Sequence, residues 1–141
     1  MSKLEKAFNL LTPKLSEAER AERMAIAVSV AQGLVNDPEW SGWITGIYVF
    51  GSTVKGKARK GSDIDLAIRT KQDFFFGMDF SFNHHRLSED IEAAKAQLGI
   101  NPKLKINPQI VAESWLANPD GQNNAEFLKE LLETGILIYE K

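Results

Sequence analysis

The chain has 141 residues, 43% hydrophobic and 26% charged, proportions that suit one soluble globular domain with a sizeable core. Its net charge of −2 exerts no general pull toward nucleic acid or an anionic membrane, so nucleic acid is not expected as the main ligand. The lack of cysteine excludes disulfides, thiolate catalysis and cysteine-bound zinc. No segment resembles a signal peptide or approaches the ~18 apolar residues of a membrane span, so a cytoplasmic location without membrane contact is expected.

From the N-terminus, Leu4, Ala7, Phe8 and Leu11 follow helical spacing, and the run stops at Thr12-Pro13. Ser16 with Glu19 forms a capping box for a second helix, with Ala21, Met24, Val28, Ala31 and Val35 as its apolar stripe and Asn36-Asp37-Pro38 as its end. The stretch from Glu39 to Trp43 reads as a turn whose two tryptophans pack around the entrance to a first strand. That strand, Ile47 to Phe50, is β-branched and aromatic and ends at Gly51-Ser52, a turn small enough to expose backbone N–H groups and the Ser52 hydroxyl to phosphate oxygens.

A loop with Lys55, Lys57, Arg59 and Lys60 follows, with glycines at Gly56 and Gly61 and Ser62 at its end. As a group these cations can concentrate a polyphosphate, although each alone reads as a solvated loop residue. Gly51 to Ala58 imitates a P-loop, but Ala58 stands where the metal-binding hydroxyl belongs and a strand follows where a helix is required. In that strand, Asp63 to Arg69, alternation sends Ile64, Leu66 and Ile68 to one face and Asp63, Asp65 and Ala67 to the other. The two carboxylates are then about 6.6 Å apart along the strand, close enough to converge on shared cations. Hard oxygen ligands of this kind suit Mg²⁺ or Mn²⁺, and a pair of such ions supports in-line displacement at phosphorus.

The aromatic segment from Phe74 to Phe80 has no clear period and reads as a buried loop, a partner surface or a lid. A helix is predicted from about Phe82 to Leu98, with Leu87, Ile91, Ala94 and Leu98 facing inward and Gly99 as its stop. His84 and His85 point in different directions on it and make a poor metal pair. A third strand spans Leu104 to Val111, where Pro108 signals an edge or a bulge. A turn at Asn118 to Gly121 leads to a last helix marked by Phe127, Leu128, Leu131 and Leu132, and Gly135 hands over to a strand from Ile136 to Tyr139. This order describes one α/β domain over residues 1–141, with N-terminal helices at about 2–36, motif strands at about 44–69 and further helices and strands at about 82–140.

Gly51-Ser52, ten intervening residues and Asp63-Ile64-Asp65 together resemble the polymerase-β-type nucleotidyltransferase superfamily, and more narrowly its minimal nucleotidyltransferases. The resemblance implies a small α/β (α+β) fold with a mixed sheet of about four strands flanked by helices. It also implies that Gly51 and Ser52 hold a triphosphate, with Lys55, Lys57, Arg59, Lys60 and Ser62 around it, and that Asp63 and Asp65 bind Mg²⁺ or Mn²⁺. The implied reaction passes AMP from ATP to an acceptor hydroxyl. Similar single-domain members are antitoxins that bind and modify a HEPN-type ribonuclease toxin, which makes a protein acceptor, as a tyrosine, the preferred substrate. A homo- or hetero-oligomer is left open.

The family's third acidic residue is missing from Ile106-Asn107-Pro108-Gln109-Ile110-Val111. Gln109 occupies the matching position, and Glu113 can replace it if a bulge at Pro108 shifts the register. An amide brings no charge and no base, so a non-catalytic antitoxin acting by binding competes with the enzyme reading. An aminoglycoside-type transferase is the other alternative, although the chain lacks length for the helical domain those enzymes add.

Overall fold

The computed structural model describes residues 14–59, 61–71 and 80–141, with side chains from residue 84 onward in the last stretch. The helix expected before Pro13, Lys60 and most of the Phe74–Phe80 segment lie outside the described residues. In chain order the elements are α1 (Glu17–Asn36), α2 (Pro38–Ser41), β1 (Ile44–Phe50), α3 (Ser52–Lys55), β2 (Ile64–Thr70), α4 (Phe80–Gln97), β3 (Ile106–Ala112), α5 (Glu113–Ala117), a 3₁₀ turn (Pro119–Gly121), α6 (Ala125–Thr134) and β4 (Ile136–Glu140).

The four strands form one mixed sheet in the order β3-β2-β1-β4, flanked by helices as expected. β1 runs antiparallel to β2 and β4, whereas β3 runs parallel to β2 after the α4 crossover. Pro108 lies in an edge strand whose ladder with β2 continues without a register shift, so it marks an edge and not a bulge. A ring N–H of His84 donates to the Pro108 carbonyl at 2.9 Å. Because the N–H and C=O positions of one strand residue face the same side, the donor that proline lacks belongs to the unpaired edge.

One face of the sheet is apolar throughout. Ile47, Val49, Ile64, Leu66, Ile68 and Ile106 pack against Ala27, Val30, Ala31 and Leu34 of α1 and Leu87 and Ile91 of α4. The opposite face buries Tyr48, Ala67 and Val111 beneath Leu128 and Leu131 of α6, with Phe50, Trp115, Leu116 and Phe127 at the margin. β2 is therefore covered on both sides over Ala67 and half-open over Asp65.

Two helix faces differ from those that periodicity suggests. In α1 the buried set is Arg23, Ala27, Val30, Ala31 and Leu34, while Val28 is exposed. Apolar residues extend most of the way round this helix, and the small side chains of Ala27 and Ala31 decide which face approaches the sheet most closely. In α4, Leu98 is 50% exposed and Lys95 is 2% exposed, its ammonium reaching Glu92 and the Pro102 carbonyl at 3.1 and 3.5 Å. Leu98 falls beyond the last helical residue, where the chain has turned toward Gly99, a left-handed stop at φ +69°.

The segment around Trp40 is a short helix and not a turn. Proline opens it, and the Asp37 carboxylate accepts from the Glu39 N–H at 2.9 Å. Trp40 is fully packed, its indole N–H donating to Asp90 at 2.5 Å. No helix among the described residues is long and apolar enough to cross a membrane.

The capping box at α1 is complete: Ser16 Oγ accepts from the Glu19 N–H at 3.1 Å, and Glu19 accepts from the Ser16 N–H at 3.0 Å. Replacing Ser16 with Ala is expected to cost about 1 kcal/mol, measured as a lower urea midpoint with an unchanged m-value.

Candidate active site

The site forms where β1 ends against β2. The antiparallel register sets Phe50 opposite Asp65, so the residue after Phe50 must turn in front of the Asp65 carboxylate. That residue is Gly51, at φ +76° and ψ −149°, a region open in practice only to glycine. A Cβ placed there would lie 2.5 Å from Asp65 Oδ2. Glycine is thus required both for the backbone path and for the space the carboxylate fills.

The chain then makes one turn of helix, α3, closed by Gly56 at φ +71°. Its first internal bond runs from Lys55 N–H to the Gly51 carbonyl at 3.1 Å, so the N–H of Ser52, next to the glycine that packs on Asp65, stands ahead of the helix ladder. Backbone donors in such a turn suit phosphate oxygens.

The loop back to β2 is pinned to α1 and to the residues just before it. Leu15 N–H donates to the Ala58 carbonyl at 2.9 Å, Lys14 pairs with Arg59 as an isolated bridge, and Arg23 donates to the Ser62 carbonyl at 2.5 Å. Ala58 is buried, which accounts for alanine at the place where a P-loop has a hydroxyl. The Ser62 hydroxyl accepts from the Arg59 N–H at 2.9 Å and so stabilises the loop. Lys55 forms an ion pair with Glu130 of α6, and Lys57 is exposed. Of the residues expected around a triphosphate, Gly51 packs on the Asp65 carboxylate with Ser52 next in the chain, Ser62 directly precedes Asp63, and Lys55 is turned toward α6.

Asp63 and Asp65 are close enough to interact electrostatically. Partial burial, and then the like charge of Asp63, hold the Asp65 carboxyl above its ordinary range, while the Asn107 amide, 3.5 Å away, acts in the opposite direction. Asp63 has a second neighbour in Lys105: the Ile64 N–H donates to the Lys105 carbonyl, and both Asp63 and Lys105 line a cavity of about 730 Å³ between α1 and the segment after α4. Asp65 lines another cavity, of about 650 Å³, on the α5/α6 side, with Phe50, Asn107, Gln109, Trp115, Asn124 and Phe127.

In the parallel register Asn107 lies opposite Asp65 and Gln109 opposite Ala67. Gln109 shares the Asp65 cavity but stands one pleat further along, and Asn107, overlooked in the sequence pattern, is the amide beside the acid. Glu113 does not come near. It begins α5, is exposed, and lines a separate small cavity with Tyr48 and Arg69, because the unbroken β3 ladder carries it past the end of the strand. There Arg69 bonds Thr45, Tyr48 and Glu140, and although burial opposes its charge, Glu140 and Tyr48 outweigh that and raise its pKa.

Three other carboxylates, Asp37, Glu39 and Asp90, also converge. Each already has a protein partner: Asp37 caps α2, Asp90 accepts from Trp40, and Glu39 pairs with Arg86. They belong to helix packing and not to this site.

Two outcomes are expected from the Gly51–Asp65 contact. Gly51→Ala should lose about 1–3 kcal/mol of stability from backbone strain, read by chemical denaturation. Asp65→Asn should move in the other direction. A carboxyl whose folded pKa is raised destabilises the fold as pH climbs above its ordinary value of 3.8. The variant should therefore match the wild type in acid and show a slightly higher Tm at neutral pH, a small effect because solvent screens a half-exposed group.

Residues 41–141 match the family model described as Polymerase beta, Nucleotidyltransferase. The chain is also 42% identical over 57 residues to a Haemophilus influenzae protein named "Probable protein adenylyltransferase MntA". That similarity covers 40% of this chain and 44% of the relative, less than half of either. With the family match spanning the sheet, the Gly51 turn and both aspartates, the chain belongs to the polymerase-β nucleotidyltransferase family.

Proposed function

We propose that this protein transfers AMP from ATP to a hydroxyl of a partner protein in a reaction dependent on Mg²⁺ or Mn²⁺, and that the partner is a HEPN-type toxin which it thereby neutralises in the cytoplasm. The observation that carries the reading is the packing of the Asp65 carboxylate against the Gly51 turn, with Asp63 beside it. Backbone suited to phosphate thus adjoins one acid, and the second acid is close enough to act on the first by its charge. The name of the Haemophilus relative, a probable protein adenylyltransferase, supports a protein acceptor, with tyrosine the preferred side chain.

The residues fit a divalent cation. Two oxygen ligands with mutual repulsion, one of them penalised by burial, favour an ion that neutralises both. Asp63 and Asp65 would hold it, and when bound it would supply positive charge to the triphosphate. The chain's own part is positioning: the turn at Gly51 and Ser52 receives phosphate oxygens, and Arg23, through the Ser62 carbonyl, keeps the loop in place ahead of Asp63. The acceptor oxygen forms a bond to the α-phosphorus as the bond to pyrophosphate breaks. Its proton leaves to solvent, since β3 offers amides and no carboxylate as base.

One observation favours a second reading, an antitoxin that neutralises its partner by binding alone. Asn107 and Gln109 occupy the strand beside the acids, where the resembled family carries a third carboxylate.

The two readings separate with α-labelled ATP, Mg²⁺ and the product of the neighbouring gene. Label is expected on the partner, and Asp63→Ala/Asp65→Ala should reduce it at least about 100-fold. A tight, inhibitory complex that acquires no label would overturn transfer in favour of binding.

A further inference from the structure

The cavity of about 650 Å³ beside Asp65 has a composition that the phosphate chemistry does not use. Its walls are aromatic: Phe50 and Phe127 meet edge to face at 5.2 Å and 72°, and Trp115 of α5 is half-buried beside them. Apart from the Asp65 carboxylate at one end, its polar side chains are amides. Asn124 stands at the N-cap of α6, where asparagine commonly spends its side chain on the helix, yet it makes no cap hydrogen bond. Gln109, half-buried on the sheet, likewise has no side-chain partner among the described residues. Among the described residues no lysine or arginine lines this cavity.

Stacking surfaces with unspent amides and no cation suit a flat, neutral ring whose edge alternates donor and acceptor. Among nucleobases that pattern selects adenine. A glutamine or asparagine amide pairs in two-point fashion with the adenine amino group and a ring nitrogen, whereas the two acceptors of guanine call for arginine or lysine and the cytosine amino group calls for a carboxylate. Placement agrees with this chemistry. Asp65 and Asn107 sit at the phosphate end, and Gln109, opposite Ala67, lies about 6.6 Å further along the sheet, leaving room for a ribose between them.

We infer that this cavity is the nucleobase site, that Trp115 and Phe127 flank an adenine ring, and that Gln109, assisted by Asn124, reads its edge and confers preference for ATP. The inference rests on the proposed nucleotidyl transfer and assigns Gln109 to the base and not to the metal.

The test is equilibrium binding of ATP, GTP and inorganic tripolyphosphate in Mg²⁺, by calorimetry. The wild type should bind ATP at least about tenfold tighter than GTP. Gln109→Ala should reduce the ATP-to-GTP ratio to within about twofold while tripolyphosphate binding is retained, which also reports that the fold persists. Asn124→Ala, at an exposed position, should lower the ratio in the same direction and decides the matter if Gln109→Ala does not fold. An unchanged ratio in both variants, or wild-type binding of ATP no tighter than tripolyphosphate, overturns the base site and leaves the transferase reading standing. Failure of the wild type to bind either ATP or tripolyphosphate overturns both.

Discussion

The site depends on a steric exchange between Gly51 and Asp65: the carboxylate occupies the volume that a side chain at residue 51 would need. The exchange follows from strand register, because pairing Phe50 with Asp65 brings the end of β1 to the acid. It makes the turn and the carboxylate one unit, so neither can be repositioned without the other. Both lie at the rim of a sheet whose opposite face is continuously apolar, and the rigidity of that core holds the geometry.

The same arrangement is electrostatically unfavourable. Asp65 is partly desolvated and faces Asp63, with only a long amide contact from Asn107 in compensation. Two other partly or fully buried charges are paired: Lys95 is buried against Glu92, and Arg69 is held by Thr45, Tyr48 and Glu140. An acid pair left under-compensated is a local cost that a bound cation would remove. Functional sites commonly retain such strain.

Much of the fold was legible because local rules and tertiary packing agreed. The Ser16–Glu19 box, the strand over Ile64 to Ile68, the glycine stop at Gly99 and the edge role of Pro108 each have a physical cause within a few residues. The apolar face of α1 was not legible, since apolar residues on most sides leave the choice to its partner. The helices α3 and α5, four and five residues long, are too short to display a period. The burial of Ala58 and the pairing of Lys55 with Glu130 join residues far apart in the chain, beyond the reach of any local pattern.

By itself the sequence pointed to the chemical kind of the site: a glycine that frees the backbone, two acids two residues apart at the start of a strand, and a neighbouring strand that supplies amides in place of a third acid; Asp63 itself falls just ahead of β2 and borders the α1-side cavity, while Asp65 borders the other. Residue identity and strand alternation suffice for that, being properties of adjacent positions. Which amide meets which acid was decided only by the tertiary structure. The parallel register of β2 and β3 sets Asn107 at Asp65 and Gln109 one pleat away, and the docking of α5 and α6 adds Trp115, Asn124 and Phe127 to the same cavity. Register and docking are set by the fit of the whole core, and no stretch of chain carries that information alone.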